Sequence, residues 1–87
     1  MGRQLVVEGR VQGVGYRVWA ARTMGDLGLS GWVRNMADRR VEVVVEGPAV
    51  AVESFERRCH VGPRSARVLR VSATMRPVGG IDGVEIR

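Results

Sequence analysis

The stretch Gly9-Arg10-Val11-Gln12-Gly13-Val14-Gly15-Tyr16-Arg17 brings together residue types that can hold an anion. Glycine admits positive φ and close backbone approach, so consecutive N–H groups around Gly13 and Gly15 can turn inward. A helix opening directly after them adds the unpaired N–H groups of its first turn and the positive end of its dipole. Arg17 then stands where that dipole favours an acidic residue. A cation at this end implies a neutralising anion from outside the chain. The chemistry read here is a phosphate or carboxylate pocket.

A second polar residue, Asn35, interrupts a strand-like run, where asparagine is disfavoured. It shares parity with Val33 and Ala37 and so points toward a partly buried face, where it needs partners. Taken alone, it fits equally well as a strand-end asparagine that satisfies a turn. Cys59 lies on an apolar helical stripe and reads as core. His60 is its neighbour in the chain, but adjacent helix positions face different directions, which argues against a Cys–His pair. Trp19 and Trp32 can be placed at a pocket mouth, although packing is the default for both. The sequence offers no paired carboxylates, metal-ligand cluster or nucleophile–base dyad.

The elements that must position these residues follow from periodicity. Gln4 to Val11 is a β-branched, apolar strand with Leu5, Val7, Gly9 and Val11 on one face and Glu8 and Arg10 on the other. A helix from Tyr16 to Leu27 places Ala20, Met24 and Leu27 on one side, and Gly28 stops it. Leu29 to Ala37 is a second strand. The turn Asp38-Arg39-Arg40 joins it to the alternating strand Val41 to Glu46, which makes an antiparallel hairpin. Val41, Val43 and Val45 face one way, Glu42 and Glu46 the other.

Gly47-Pro48 opens a second helix with the stripe Val52, Phe55 and Cys59, and Gly62-Pro63 ends it. Arg64 to Arg76 holds a fourth strand whose parity has two readings: Ala66, Val68 and Val71, or Leu69, Val71 and Ala73. Gly79-Gly80 and Asp82-Gly83 are turns before a short terminal strand, Val84 to Arg87. The order βαββαβ, with two one-sided helices, predicts an α+β sandwich of ferredoxin-like type. In it an antiparallel sheet carries both helices on one face and ends in a short C-terminal strand.

At 87 residues the chain reads as one domain, residues 1–87. Its apolar fraction of 45% and charged fraction of 26% are those of a soluble globular protein. No apolar run approaches the roughly 20 residues of a membrane span. Met1-Gly2-Arg3-Gln4 leads straight into a strand-like run without signal-peptide anatomy. A single cysteine excludes an internal disulfide and a self-contained cysteine metal site, and fits a reducing cytoplasm.

The net charge of +5 raises nucleic acid as a partner. However, every basic residue is arginine, and the arginines are dispersed among Glu8, Glu42, Glu46, Glu53, Glu56 and Glu85. They form no continuous track for a phosphate backbone, so a solvated mixed-charge surface is the simpler reading.

Two separate segments resemble the acylphosphatase family. Gly9-Arg10-Val11-Gln12-Gly13-Val14-Gly15-Tyr16-Arg17 is similar to its first signature. Gly31-Trp32-Val33-Arg34-Asn35, with Asp38 and Val41-Glu42, is similar to its second. The resemblance covers essentially the whole chain and implies hydrolysis of acyl phosphates to carboxylate and inorganic phosphate, with no metal or cofactor. It places the catalytic arginine on Arg17 and the catalytic asparagine, which orients the attacking water, on Asn35. The phosphate loop falls on Gln12, Gly13, Val14, Gly15, Tyr16 and Arg17. The implied partners are a small acyl phosphate and, in its absence, inorganic phosphate or another anion. Nucleic acid and membrane are not among them, and a monomer is expected. The chain departs from the family pattern at Tyr16 and Val84, each usually phenylalanine, and at Arg39, usually glycine.

Other function classes fit less well. A non-catalytic binding module for a phosphorylated ligand would keep the anion pocket but has less need of Asn35. An RNA-binding domain of this topology stacks bases on aromatic residues of its central strands. Here the first and third strands carry no aromatic residue. A heavy-metal carrier of the same fold calls for a paired-cysteine loop.

Overall fold

The computed structural model describes residues 1–87. Its elements are β1 (Gly2–Arg10), α1 (Tyr16–Asp26), β2 (Ser30–Asn35), β3 (Val41–Glu46), α2 (Ala49–Cys59), β4 (Arg67–Arg76) and β5 (Val84–Ile86). The strands form one sheet in the order β4-β1-β3-β2-β5. The first four strands pair antiparallel, as expected for the ferredoxin-like α+β sandwich, while β5 adds parallel to β2.

One face of the sheet carries the core. Leu5 and Val7 of β1, Val33 of β2, and Val41, Val43 and Val45 of β3 meet Ala20 and Met24 of α1 and Val52, Phe55 and Cys59 of α2, all fully buried. Complete burial of a Val, Leu or Phe side chain is worth about 1.5–3 kcal/mol, so this layer fixes the helices on the sheet. Both predicted helical stripes pack inward, although Leu27 caps α1 and is only partly buried.

Several boundaries shift for identifiable reasons. β2 stops at Asn35 because Met36 is drawn into the turn, where its N–H donates to the Arg40 carbonyl at 2.7 Å. In β4, Val68 sits opposite Gly9 and Arg70 opposite Glu8, which leaves Leu69 as an extra, bulged residue. The bulge reconciles the two parities read from the sequence: Val68 and Val71 both pack on the core, and Leu69 is 82% exposed. A side chain at Gly9 would run into the Arg67 carbonyl, so the bulge requires glycine there.

The solvated reading of the β3 glutamates does not hold. Glu42 and Glu46 are both buried. Glu42 accepts from Arg34 Nε at 2.6 Å and from the Gln4 side-chain amide. Glu46 accepts from the backbone N–H groups of Gly79 and Ile81. Partners on the sheet face and in the segment leading to β5 satisfy charges that the alternating pattern had assigned to water.

Candidate active site

β1 ends at Arg10, and the loop that follows turns through Gly13 (φ 73°) and Gly15 (φ 83°) into α1. A Cβ on either glycine would meet nothing within 4 Å, so the backbone conformation, not crowding, requires glycine here. Gly15 is the N-cap of α1 and supplies no side-chain cap, and the first helical turn holds no acidic residue. From Gly13 to Val18, no backbone N–H donates to any acceptor in the chain. Such a run of free donors beside a helix N-terminus forms an anion-binding cradle.

These amides border a cavity of about 170 Å³ lined by Val11, Gly13, Gly15, Tyr16, Arg17, Val18, Asn35 and Ile86. Arg17 makes no ion pair with an Asp or Glu side chain. Its Nη1 donates to the main-chain oxygen of Arg87 at 3.2 Å, on the exposed side. Asn35, the last residue of β2, also lines the cavity. Its Oδ1 is buried and has no hydrogen-bond partner. Leaving a buried acceptor unpaired costs about 1–3 kcal/mol, and native structures rarely tolerate one without a purpose. The cavity therefore offers fixed N–H donors, a guanidinium fork and an oriented amide oxygen.

Of the residues predicted for the site, Gly13, Gly15, Tyr16, Arg17 and Asn35 line this cavity together; Gln12 and Val14 do not. Val14 is half-buried against the core. Gln12 acts through its side chain, donating to the carbonyls of Met36 at 2.8 Å and Arg40 at 2.9 Å. This bond pair ties the loop to the β2–β3 turn.

The Tyr16 side chain points away from the pocket into the core. Its hydroxyl donates to the Cys59 carbonyl at 2.8 Å, and its ring lies 5.2 Å from that of Trp19. Burial drives the phenol well above its ordinary range, so it stays protonated. The hydroxyl that departs from the family pattern thus has a polar partner. Val84, the second position where the family usually has phenylalanine, is 39% exposed and lies outside the core.

Neither tryptophan lines the cavity. Trp32 lies under the Arg87 guanidinium, 4.3 Å from the ring centroid. Cys59 is fully buried, which pushes its thiol up to about 12, and His60 is exposed. The Cys–His pairing doubted from the sequence has no chemical basis here. The short terminal strand read from the sequence is present as β5, but its parallel pairing with β2 and its part in the site were not foreseen: it contributes Ile86 to the cavity wall and is fixed to β2 by Arg87 N–H donating to the Val33 carbonyl at 2.9 Å. Three residues at a chain end carry no periodic signal that reveals a parallel pairing.

The acylphosphatase family profile matches residues 3–85. Over 82 residues the chain is 50% identical to an acylphosphatase of Synechococcus sp. (strain CC9605), covering 94% of this chain and 99% of that protein. The crystal structure of acylphosphatase from Bacillus subtilis is similar with a TM-score of 0.95 and 36% identity, over 99% of this chain and 97% of that one. An acylphosphatase from Coxiella burnetii gives a TM-score of 0.96 at 28% identity, over 99% and 90% of the two chains.

Proposed function

The chain belongs to the acylphosphatase family and hydrolyses acyl phosphates, and we propose that Arg17, the amides of the Gly13–Val18 run and Asn35 carry that reaction. The supporting observation is the coincidence of three elements in one cavity: free backbone donors, an arginine that pairs with no Asp or Glu side chain, and a buried amide oxygen without a donor.

Phosphoryl transfer needs little covalent help from a protein. It is accelerated by positioning and by stabilising charge on the equatorial oxygens. Arg17 makes two parallel charge-assisted bonds to those oxygens, and the loop amides supply further donors already in place. Asn35 Oδ1 accepts from the attacking water and aims it at phosphorus. A bond forms between the water oxygen and phosphorus as the bond from phosphorus to the acyl oxygen breaks, and its electron pair leaves with the carboxylate. Asparagine is no base near neutral pH, so one water proton passes to a phosphoryl oxygen and the products are carboxylate and dihydrogen phosphate.

We take the enzyme to be a monomer formed by residues 1–87 as one domain, in keeping with a family match over residues 3–85. The buried free thiol of Cys59 accords with a reducing cytoplasm. No helix is long and apolar enough to cross a membrane.

The test is release of phosphate from benzoyl phosphate by wild type, Arg17→Ala and Asn35→Ala, with circular dichroism to verify folding. Each variant is expected to lose about 10²–10³ in rate. A wild type that binds phosphate yet is no faster than the uncatalysed reaction would reduce the chain to a binding module. Full activity in Arg17→Ala would remove the site assignment.

A further inference from the structure

The phosphate loop has almost no bracing of its own. Gly13 and Gly15 take positive φ, Gly15 gives α1 no side-chain cap, and no N–H from Gly13 to Val18 donates within the chain. Glycine has the most backbone freedom to lose on ordering, so such a cradle keeps its shape only through what grips it at either end. Gln12 is the grip on the strand side, through the carbonyls of Met36 and Arg40. On the helix side the grip is Tyr16. It is the first residue of α1, its own N–H belongs to the cradle, and Arg17 follows it directly.

Tyr16 is 1% exposed and confined on three sides. Its ring lies 5.2 Å from that of Trp19. Gly62, in the turn after α2, backs the ring so closely that a Cβ there would stand 2.7 Å from ring Cε2. The hydroxyl donates to the Cys59 carbonyl at 2.8 Å. Cys59 is the last residue of α2, so its carbonyl is one of those a helix leaves without an internal partner. Pro63, four residues on, has no N–H, and Gly62 N–H donates to the Arg58 carbonyl instead, at 2.9 Å. No backbone donor reaches the Cys59 carbonyl, which leaves the Tyr16 hydroxyl as its one partner. The phenylalanine usual in the family would fill the same space and leave this buried acceptor bare.

We propose that the Tyr16 hydroxyl is a positioning group for phosphate binding: by tying the first residue of α1 to the last carbonyl of α2, it holds the Gly13–Val18 amides and Arg17 in their binding arrangement before the anion arrives. The inference rests on the phosphate-cradle reading above and adds to it a hydroxyl that touches no substrate. A cradle ordered by folding loses little further freedom on binding. Without the tie, the phosphoryl group itself must order the loop. It does so in the substrate complex as much as in the transition state, so the loss falls on binding and not on the chemical step.

The test is Tyr16→Phe, which keeps the ring and removes only the hydroxyl. Kinetics with benzoyl phosphate and competitive inhibition by inorganic phosphate are measured well below the unfolding midpoint of the variant. KM and the phosphate inhibition constant should rise together by about three- to tenfold, while kcat stays within about twofold of wild type. NMR relaxation supplies a second readout: order parameters of the Gly13–Val18 amides should fall in the free variant and regain their wild-type values at saturating phosphate. A hydroxyl with a purely structural role would lower the unfolding midpoint and move neither constant, and that result overturns the proposal. A fall in kcat at unchanged KM overturns it as well. In both cases a wild type that hydrolyses benzoyl phosphate still upholds the parent reading. A wild type that neither hydrolyses benzoyl phosphate nor binds phosphate overturns both.

Discussion

Gln12 is hydrogen-bonded to Met36 across the gap between the phosphate loop and the β2–β3 turn. The side-chain amide donates to the Met36 carbonyl at 2.8 Å and, through its other hydrogen, to the Arg40 carbonyl at 2.9 Å. Met36 directly follows Asn35 in the chain, so one side chain sets the register between the loop amides and the amide proposed to orient the water. Gln12 reads from sequence as part of the phosphate loop, but what it contributes is the spacing between the two halves of the site.

Gln12→Ala removes both bonds at once. Each is worth about 0.5–1.5 kcal/mol, so the unfolding free energy should fall by about 1–3 kcal/mol. Activity should suffer further, because a misplacement of the order of an ångström can cost about 10²-fold in rate. Denaturant unfolding together with kcat on benzoyl phosphate checks both. A destabilised variant with wild-type kcat would show that the loop and β2 hold their register without Gln12.

Arg17→Lys keeps the charge and loses the planar fork. Lysine offers a point charge on a flexible stem, so the two parallel bonds to phosphate are not replaced. We expect kcat/KM to fall about 10²-fold and protection by inorganic phosphate to weaken. A ligand at 100 times its dissociation constant stabilises by about 2.7 kcal/mol, which makes the shift in thermal midpoint with phosphate a direct readout. Equal phosphate-dependent shifts in the two proteins would mean that the anion is held elsewhere.

The site was more legible in the sequence than the sheet that supports it. Gly13, Gly15 and Arg17 could be read because positive φ and a cation at a helix start are local conflicts with a single shared resolution. From its own residue type Asn35 was legible only as a misfit, and the resemblance alone implied its role; its orphaned Oδ1 appears only in the folded chain. The remainder depends on distant partners. The Leu69 bulge is set by the register of β4 on β1, so no count along β4 alone could choose its parity. Glu42 and Glu46 looked solvated because alternation reports which face a residue occupies, not what later covers that face. Their partners Gln4, Gly79 and Ile81 come from elsewhere in the chain.

Arg39→Gly should stabilise the protein. Arg39 is the only residue other than glycine with positive φ, at 75°. The left-handed conformation costs a residue with a side chain about 1–2 kcal/mol, part of which is offset by the greater freedom glycine has in the unfolded chain. A net gain of about 1 kcal/mol in denaturant unfolding is expected, although a charged side chain has been removed. No gain, or a loss, would mean that the Arg39 side chain makes stabilising contacts outweighing its strain.

Glu46 makes stability depend on acid. Its carboxylate accepts backbone N–H bonds, chiefly from Gly79 and then from Ile81, and these hold the carboxyl below the usual glutamate range. The unfolded chain, with an ordinary value of about 4.3, therefore takes up the proton first as pH falls. The stabilisation is fully present above that range and is lost as pH drops through the lower folded-state value. Glu46→Gln removes the titrating group, so the variant should be less stable than wild type at neutral pH, with the gap closing in acid. Urea midpoints measured from pH 7 down to about 2.5 test this. A gap that stays constant over that range would show that the bonds made by Glu46 do not depend on its charge. The same bonds anchor the segment leading into β5, whose Ile86 lines the proposed catalytic cavity. Glu46→Gln should therefore also raise KM for benzoyl phosphate at neutral pH, and restoring the carboxylate with Glu46→Asp should recover part of that loss.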